Sequence, residues 1–277
     1  MNKPRYEITN FPSARFGTID LGQISSRKHH VAVLLQVDVT AALRRLRSLR
    51  TERRGISFFA WLVKQIGDVI AESRYVHAVR GRGRSLILFT DVDIAVMVER
   101  TVHGERVPLV RVIRKANEKS AEQICDEIRH AQQQEIRDEG DYMLGETRLS
   151  RMALRVYFGL PQAIRLWLHR RLMKNPFRSQ SLMGTVSVAT VAATGRRPGW
   201  FIPKAMHNLC FAVGSTAKMP WVVGRRIEIR DILHLTVLFD HDAVDGMPAL
   251  RFMTRLVSRL ERAEVDPRMH AMGSSVS

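Results

Sequence analysis

The chain has 277 residues, 45% of them hydrophobic and 26% charged, which excludes a disordered segment and leaves room for a substantial core. Lys and Arg number 44 against 27 Asp and Glu, a formal net charge of +17, so an anionic partner is expected: nucleic acid, an anionic membrane surface or a phosphorylated ligand. The two cysteines, Cys125 and Cys210, exclude a disulfide framework; Met1–Ala14 is polar and does not read as a signal peptide. With no continuously apolar window long enough to cross a bilayer, a cytoplasmic location is expected.

The first thirty residues read as irregular and carry Arg15 and the cluster Arg27-Lys28-His29-His30. A β-branched apolar run predicts a strand over His30–Val39, and Asp38 or Thr40 can cap a helix over Ala41–Arg50. Ser57 can cap a second helix, Phe58–Ser73, in which Trp61, Ile66, Val69 and Ile70 recur at helical spacing. Strands are expected at Ser85–Thr90, Asp93–Glu99 and Arg106–Ile113, the last an edge or bulged strand because it contains Pro108. Ser120-Ala-Glu-Gln123 forms a capping box that opens a helix running to about Arg137.

Residues 148–178 differ in texture. They contain eight Lys or Arg and no acid. Two apolar stripes, broken at Gly159-Leu160-Pro161, predict a helical hairpin or a kinked helix. Two readings of its charge stand side by side: arginines snorkelling over a packed face, or a basic amphipathic surface that meets a membrane or an acidic partner. Strands follow at Thr185–Val191, Leu209–Val213, Arg226–Ile229 and Leu233–Phe239, then a helix over Pro248–Ala263 and a loose tail. Interspersed strands and helices without repeats or a Pro-rich linker make this an α+β chain of one domain.

The chemistry concentrates after the last strand. His241 stands among acids in Asp240-His241-Asp242-Ala243-Val244-Asp245-Gly246. A metal site using His241 and Asp245 lacks further ligands nearby, so no metal is expected. A histidine at a strand end, flanked by acids, suits a general base.

Phe239–Phe252 (FDHDAVDGMPALRF) resembles the His-x-x-x-Asp-Gly signature of the chloramphenicol acetyltransferase-like superfamily, and within it the catalytic domain of the dihydrolipoamide acyltransferases of 2-oxoacid dehydrogenase complexes. His30–Thr40, Ser57–Lys64, Asp91–Glu99, Val107–Ser120 and Gly184–Val191 resemble further family segments in order. The resemblance spans roughly residues 28–265 and explains 148–178 poorly. It implies a mixed central sheet flanked by helices and an acyl group moving between coenzyme A and a thiol, amine or alcohol acceptor. It also implies a channel between subunits of a homotrimer, or of a higher assembly of trimers. By motif position His241 is the base, Asp245 holds the loop through an arginine (Arg15 or Arg27), and Gly246 permits the turn.

Two departures qualify the resemblance. The family stabilises the tetrahedral oxyanion with a Ser or Thr hydroxyl, and aligning Gly184-Thr185 puts Ala189 there, 52 residues before His241. Thr190 is the candidate substitute if a bulge turns it inward; Ser187 shares the Ala189 face but lies two residues away. Losing one such donor costs roughly 10²–10³ in rate, so a catalytically impaired scaffold or binding protein of the same fold is the alternative. The second departure is the lack of sequence resembling a lipoyl domain, so no covalently bound lipoate is expected and the acceptor is supplied in trans. The expected organisation is an N-terminal arm (1–27), a catalytic domain (28–265) with a basic helical insertion (148–178), and a flexible tail (266–277). Aromatics are only 7% of the chain and the arginines are spread over several helices, so nucleic acid is not the expected partner.

Overall fold

A computed structural model describes residues 6–9, 11, 14–51, 55–102, 105–133, 151–190 and 197–263. Its centre is a six-stranded sheet in the order β1-β8-β7-β6-β4-β5, built from β1 (His30–Asp38), β4 (Ile94–Val102), β5 (Glu105–Ile113), β6 (Val186–Thr190), β7 (Leu209–Val223) and β8 (Arg226–Asp240). β6 lies parallel to both of its neighbours, β4 and β7, and the other pairings are antiparallel. A small ribbon pairs β2 (Val79–Arg80) with β3 (Leu86–Ile87).

One face of the sheet carries Val37, Val96, Val186, Val188, Phe211, Val237 and Phe239 into the main core. Against it pack α2 (Thr40–Thr51), α3 (Phe58–Glu72), α4 (Ala121–Gln133) and α8 (Gly246–Arg262). In α8 the buried residues Ala249, Phe252, Met253, Leu256 and Leu260 recur at helical spacing. Caps foreseen from the sequence form: the Ala60 N–H donates to Ser57 Oγ at 3.1 Å, Thr40 N–H to Asp38 Oδ1 at 2.9 Å, and Ser120 N–H to Gln123 Oε1 at 2.8 Å. β5, which holds Pro108, is an edge strand as expected.

Five expectations are corrected. The supposedly irregular N-terminus contains a helix, α1 (Ala14–Ser25), tied down by a buried ion pair from its Asp20 to Arg165. Ser85–Thr90 pairs only at Leu86–Ile87. Arg226–Ile229 and Leu233–Phe239 are one continuous strand, and Leu209–Val213 extends to Val223. The polar residues between the two β8 runs are satisfied in place: Asp231 pairs with Lys218 across the hairpin and its N–H donates to Thr40 Oγ1. The basic stretch is three helices: α5 (Arg151–Gly159), α6 (Gln162–Met173) and α7 (Pro176–Met183), the last capped by Asn175. The rest of the predicted helix beyond Gln133, the loop 139–150 and the tail lie outside the described residues.

Asp93, almost fully buried at the start of β4, ties the two halves together. Its carboxylate accepts from Arg114 Nη1, Gln180 Nε2 and the Lys115 N–H, each at 2.9 Å, while its carbonyl accepts from the N–H of Thr185 and Val186. Gly184 passes beneath this carbonyl with φ +77, and a Cβ there would sit 2.6 Å from the Asp93 oxygen. Gly184→Ala therefore forces both a left-handed strain and a backbone clash, and is expected to lower unfolding free energy by about 2 kcal/mol or more in urea titration.

Candidate active site

The candidate base stands where the most constrained strand ends. β8 is paired on both sides: Phe239 opposes Val31 and Leu209, and Leu238 opposes Ala32 and Cys210. Beyond it the chain makes a tight turn, with the N–H groups of Ala243 and Val244 both donating to the Asp240 carbonyl at 3.1 Å. Asp240 and Val244 are buried at 3% exposure each, and the stretch between them, including His241 and Asp242, is pushed outward. Burying Asp240 would be costly alone; its Oδ2 accepts from Lys28 Nζ at 2.9 Å.

His241 is exposed, with its N–H donated to the His29 carbonyl at 3.0 Å and its ring 6.3 Å from that of Phe239. Beside it His29 Nδ1 meets Asp242 Oδ1 at 2.9 Å. That hydrogen bond raises the His29 pKa and lowers that of Asp242. The cluster Arg27–His30 was visible in the sequence, but its pairing with the loop 213 residues away was not.

Asp245 occupies the N-cap position of α8 with φ −79 and ψ 160, and its carboxylate makes no capping hydrogen bond. Arg15 and Arg27 are exposed, as is Asp245, and among the described residues neither is brought into an ion pair with it.

β6 runs in unbroken register with β7 from Val186 to Thr190, and the irregularity of this sheet lies instead in β7 between Val213 and Thr216. Alternation therefore leaves Thr190 on the Val188 side, facing the helices, and Ser187 and Ala189 on the other. The Ala189 face also holds Cys210, Ala212 and Thr236, the last with a buried hydroxyl that has no partner among the described residues. Burial pushes the Cys210 thiol up to about 11, against a weaker opposing pull from Ser187, so it stays protonated and is not a nucleophile at neutral pH.

The separation of the two key positions is fixed by register. Ala189 opposes Ala212 and Ala212 opposes Thr236, while His241 lies five residues beyond Thr236. At ~3.3 Å per residue and ~4.8 Å per strand they are about 19 Å apart within one chain. One chain cannot bring both to a single carbonyl.

His77 is the fully buried histidine nearest the glycine turn, its Nδ1 3.1 Å from Thr185 Oγ1. Burial lowers its pKa to about 4. Because the unfolded chain protonates near 6.5, it binds more protons than the native state between about pH 6.5 and 4. Stability is complete above that window and falls as pH drops through it, by roughly 3 kcal/mol for this group. Burial moves His207 and His169 in the same direction, whereas His29 is shifted oppositely by Asp242. Urea midpoints measured from pH 7 to 4 are expected to decline, with a shallower slope in His77→Gln.

The fold is similar to that of a chloramphenicol acetyltransferase, which superposes with a TM-score of 0.50 at 10% identity, over 89% of this chain and 94% of that one. Residues 184–266 match the family model for the 2-oxoacid dehydrogenases acyltransferase (catalytic domain), bearing out the resemblance carried by Phe239–Phe252. A probable dihydrolipoamide acetyltransferase from Listeria monocytogenes aligns with a TM-score of 0.65 at 19% identity, over 95% of this chain and 97% of that one. The dihydrolipoamide acetyltransferase of Azotobacter vinelandii, studied for the role of a serine, a histidine and an asparagine in its mechanism, aligns with a TM-score of 0.64 at 19% identity, over 94% and 97%. No curated protein sequence matches this chain.

Proposed function

We propose that this protein is a coenzyme A-dependent acyltransferase in which His241 is the general base. The observation that carries the reading is an exposed histidine fixed at the end of a buried, doubly paired strand, inside the Asp240–Gly246 turn. In the proposed reaction the His241 ring takes the proton of the acceptor thiol, amine or alcohol. The acceptor atom then attacks the thioester carbonyl; the carbon–sulfur bond to coenzyme A breaks, and the thiolate leaving group recovers the proton from the imidazolium. No metal is required by these steps. Asp245 shapes the entry to α8, and the net charge of +17 favours approach of a phosphorylated acyl carrier.

The Azotobacter enzyme's serine and histidine are separated in sequence by as many residues as Ala189 and His241, and its asparagine follows the histidine as Asp245 follows His241. This supports reading Ala189 as the oxyanion position. Since register holds Ala189 and His241 far apart in one chain, the reading requires two copies, with His241 of one facing the β6 surface of another, as a homotrimer would provide. Thr190 enters this scheme only through a local rearrangement of β6; in its present register it faces the core. Ala189 also favours a second reading, an impaired member of the fold that binds without turnover.

The two are separated by measuring thiol release from acyl-CoA with a panel of thiol, amine and alcohol acceptors. Activity that falls at least about 10²-fold in His241→Ala, with an unchanged melting curve, is the expected result; no turnover with any acceptor favours the binding protein, and wild-type turnover in His241→Ala removes the assignment of the base. In the same assay Ala189→Ser is expected to raise the rate, by up to roughly 10²–10³ if the serine recovers a full oxyanion donor.

A further inference from the structure

The basic helices α6 and α7 lie outside the site described above, and their outer surface has a definite composition. What turns α6 is a buried clamp on its inner side. Arg165, 4% exposed, places Nε 2.7 Å and Nη2 3.2 Å from the Asp20 carboxylate of α1, and Nη1 2.6 Å from the Leu160 carbonyl. Its guanidinium also lies 5.5 Å from the centre of the Phe16 ring. A bidentate pair of this kind fixes the rotation of the helix about its axis as well as its position.

With Arg165 held inward, Ile164, Trp167 and Leu168 are left at 44%, 58% and 40% exposure, spaced as neighbours on one helical face. Phe177 of α7 is 61% exposed. Arg170, Arg171, Lys174 and Arg178, on and between the same two helices, are all exposed, and residues 151–190 contain no Asp or Glu. No described helix is long and apolar enough to span a bilayer.

We infer that the outer face of α6 and α7 is a docking surface for an anionic phospholipid membrane. The pairing of exposed Trp and Phe with surrounding cations carries the choice of occupant. Aromatic and aliphatic side chains gain by entering the headgroup–acyl boundary while the cations stay with the phosphates. A nucleic-acid backbone rewards the four cations but leaves Ile164 and Leu168 without an apolar environment. Pairing of this face with itself in a second copy would set cations against cations, and contact with a different face of a second copy is separated by the test below. The two helices lie in the plane of the interface; α6 is held to α1 through Arg165 and Asp20, and α7 to the sheet through Gln180 and Asp93.

The test is flotation of the full-length protein with vesicles of phosphatidylcholine alone and of phosphatidylcholine containing phosphatidylglycerol. Two variants are compared, R170E/R171E/K174E for charge and W167S/F177S for the apolar contacts. Far-UV melting verifies that both variants are folded, and light scattering gives their assembly state. The expected result is binding to the anionic vesicles only, weakened by salt, about a hundredfold weaker in the charge variant, and also reduced in the apolar variant. Failure to bind anionic vesicles at low salt overturns the inference. So does binding by either variant at the wild-type level. Dissociation of the wild-type assembly by W167S/F177S assigns the face to contact between copies, and duplex DNA binding lost only in the charge variant, without vesicle binding, assigns it to nucleic acid; either result overturns the membrane assignment.

Discussion

The structure depends on the double pairing of β8. A strand hydrogen-bonded on both edges has no freedom to slip, because a shift of one residue would turn Leu233, Leu235, Val237 and Phe239 out of the core and His234, Thr236 and Leu238 into it. The end of β8 is therefore a fixed point, and the turn after it is pinned from both sides by buried Asp240 and Val244. The exposure of His241 follows from those anchors. Lys28 compensates the one charge this arrangement buries, which makes the segment before β1 part of the site even though it contributes no group to the proposed chemistry.

The same rigidity means that the proposed acyl transfer requires a second copy of the chain. Asp93 and Gly184 seat β6 in the sheet, and parallel pairing to β7 then fixes which β6 side chains face away from the helices. That surface and His241 sit at different levels of the same sheet. No movement of side chains closes a gap of about 19 Å, so a shared site between copies is a geometric consequence of the proposed chemistry. On the proposed reading Ala189 stands at the oxyanion position, and the neighbouring polar groups do not supply a hydroxyl there: Thr190 faces the core and the Thr236 hydroxyl is buried.

Much of the fold was legible because its strongest signals are local. β1, α3 and α8 follow from β-branched runs, Ser57 as a cap and an apolar helical period, and Pro108 correctly marked an edge. What was missed is non-local. α1 is amphipathic only weakly, and its place depends on Asp20 meeting Arg165, 145 residues away. β8 looked like two strands because Arg230 and Asp231 interrupt its apolar pattern, yet Asp38 and Lys218 pair with their charges from neighbouring strands. At the candidate site, the sequence put His241 just past the last strand, where it lies, but neither the His29–Asp242 contact nor the side on which Thr190 lies could be read without the register. The arginine sought for Asp245 was not found at Arg15 or Arg27.

The most direct test of the shared-site account is a crystal structure of the assembled protein with coenzyme A bound. The account predicts the coenzyme A sulfur within hydrogen-bonding reach of the His241 ring, with the Ala189 face of a second copy across the channel. A sulfur bound away from His241, or a His241 that opens to bulk solvent in the complete assembly, would contradict it.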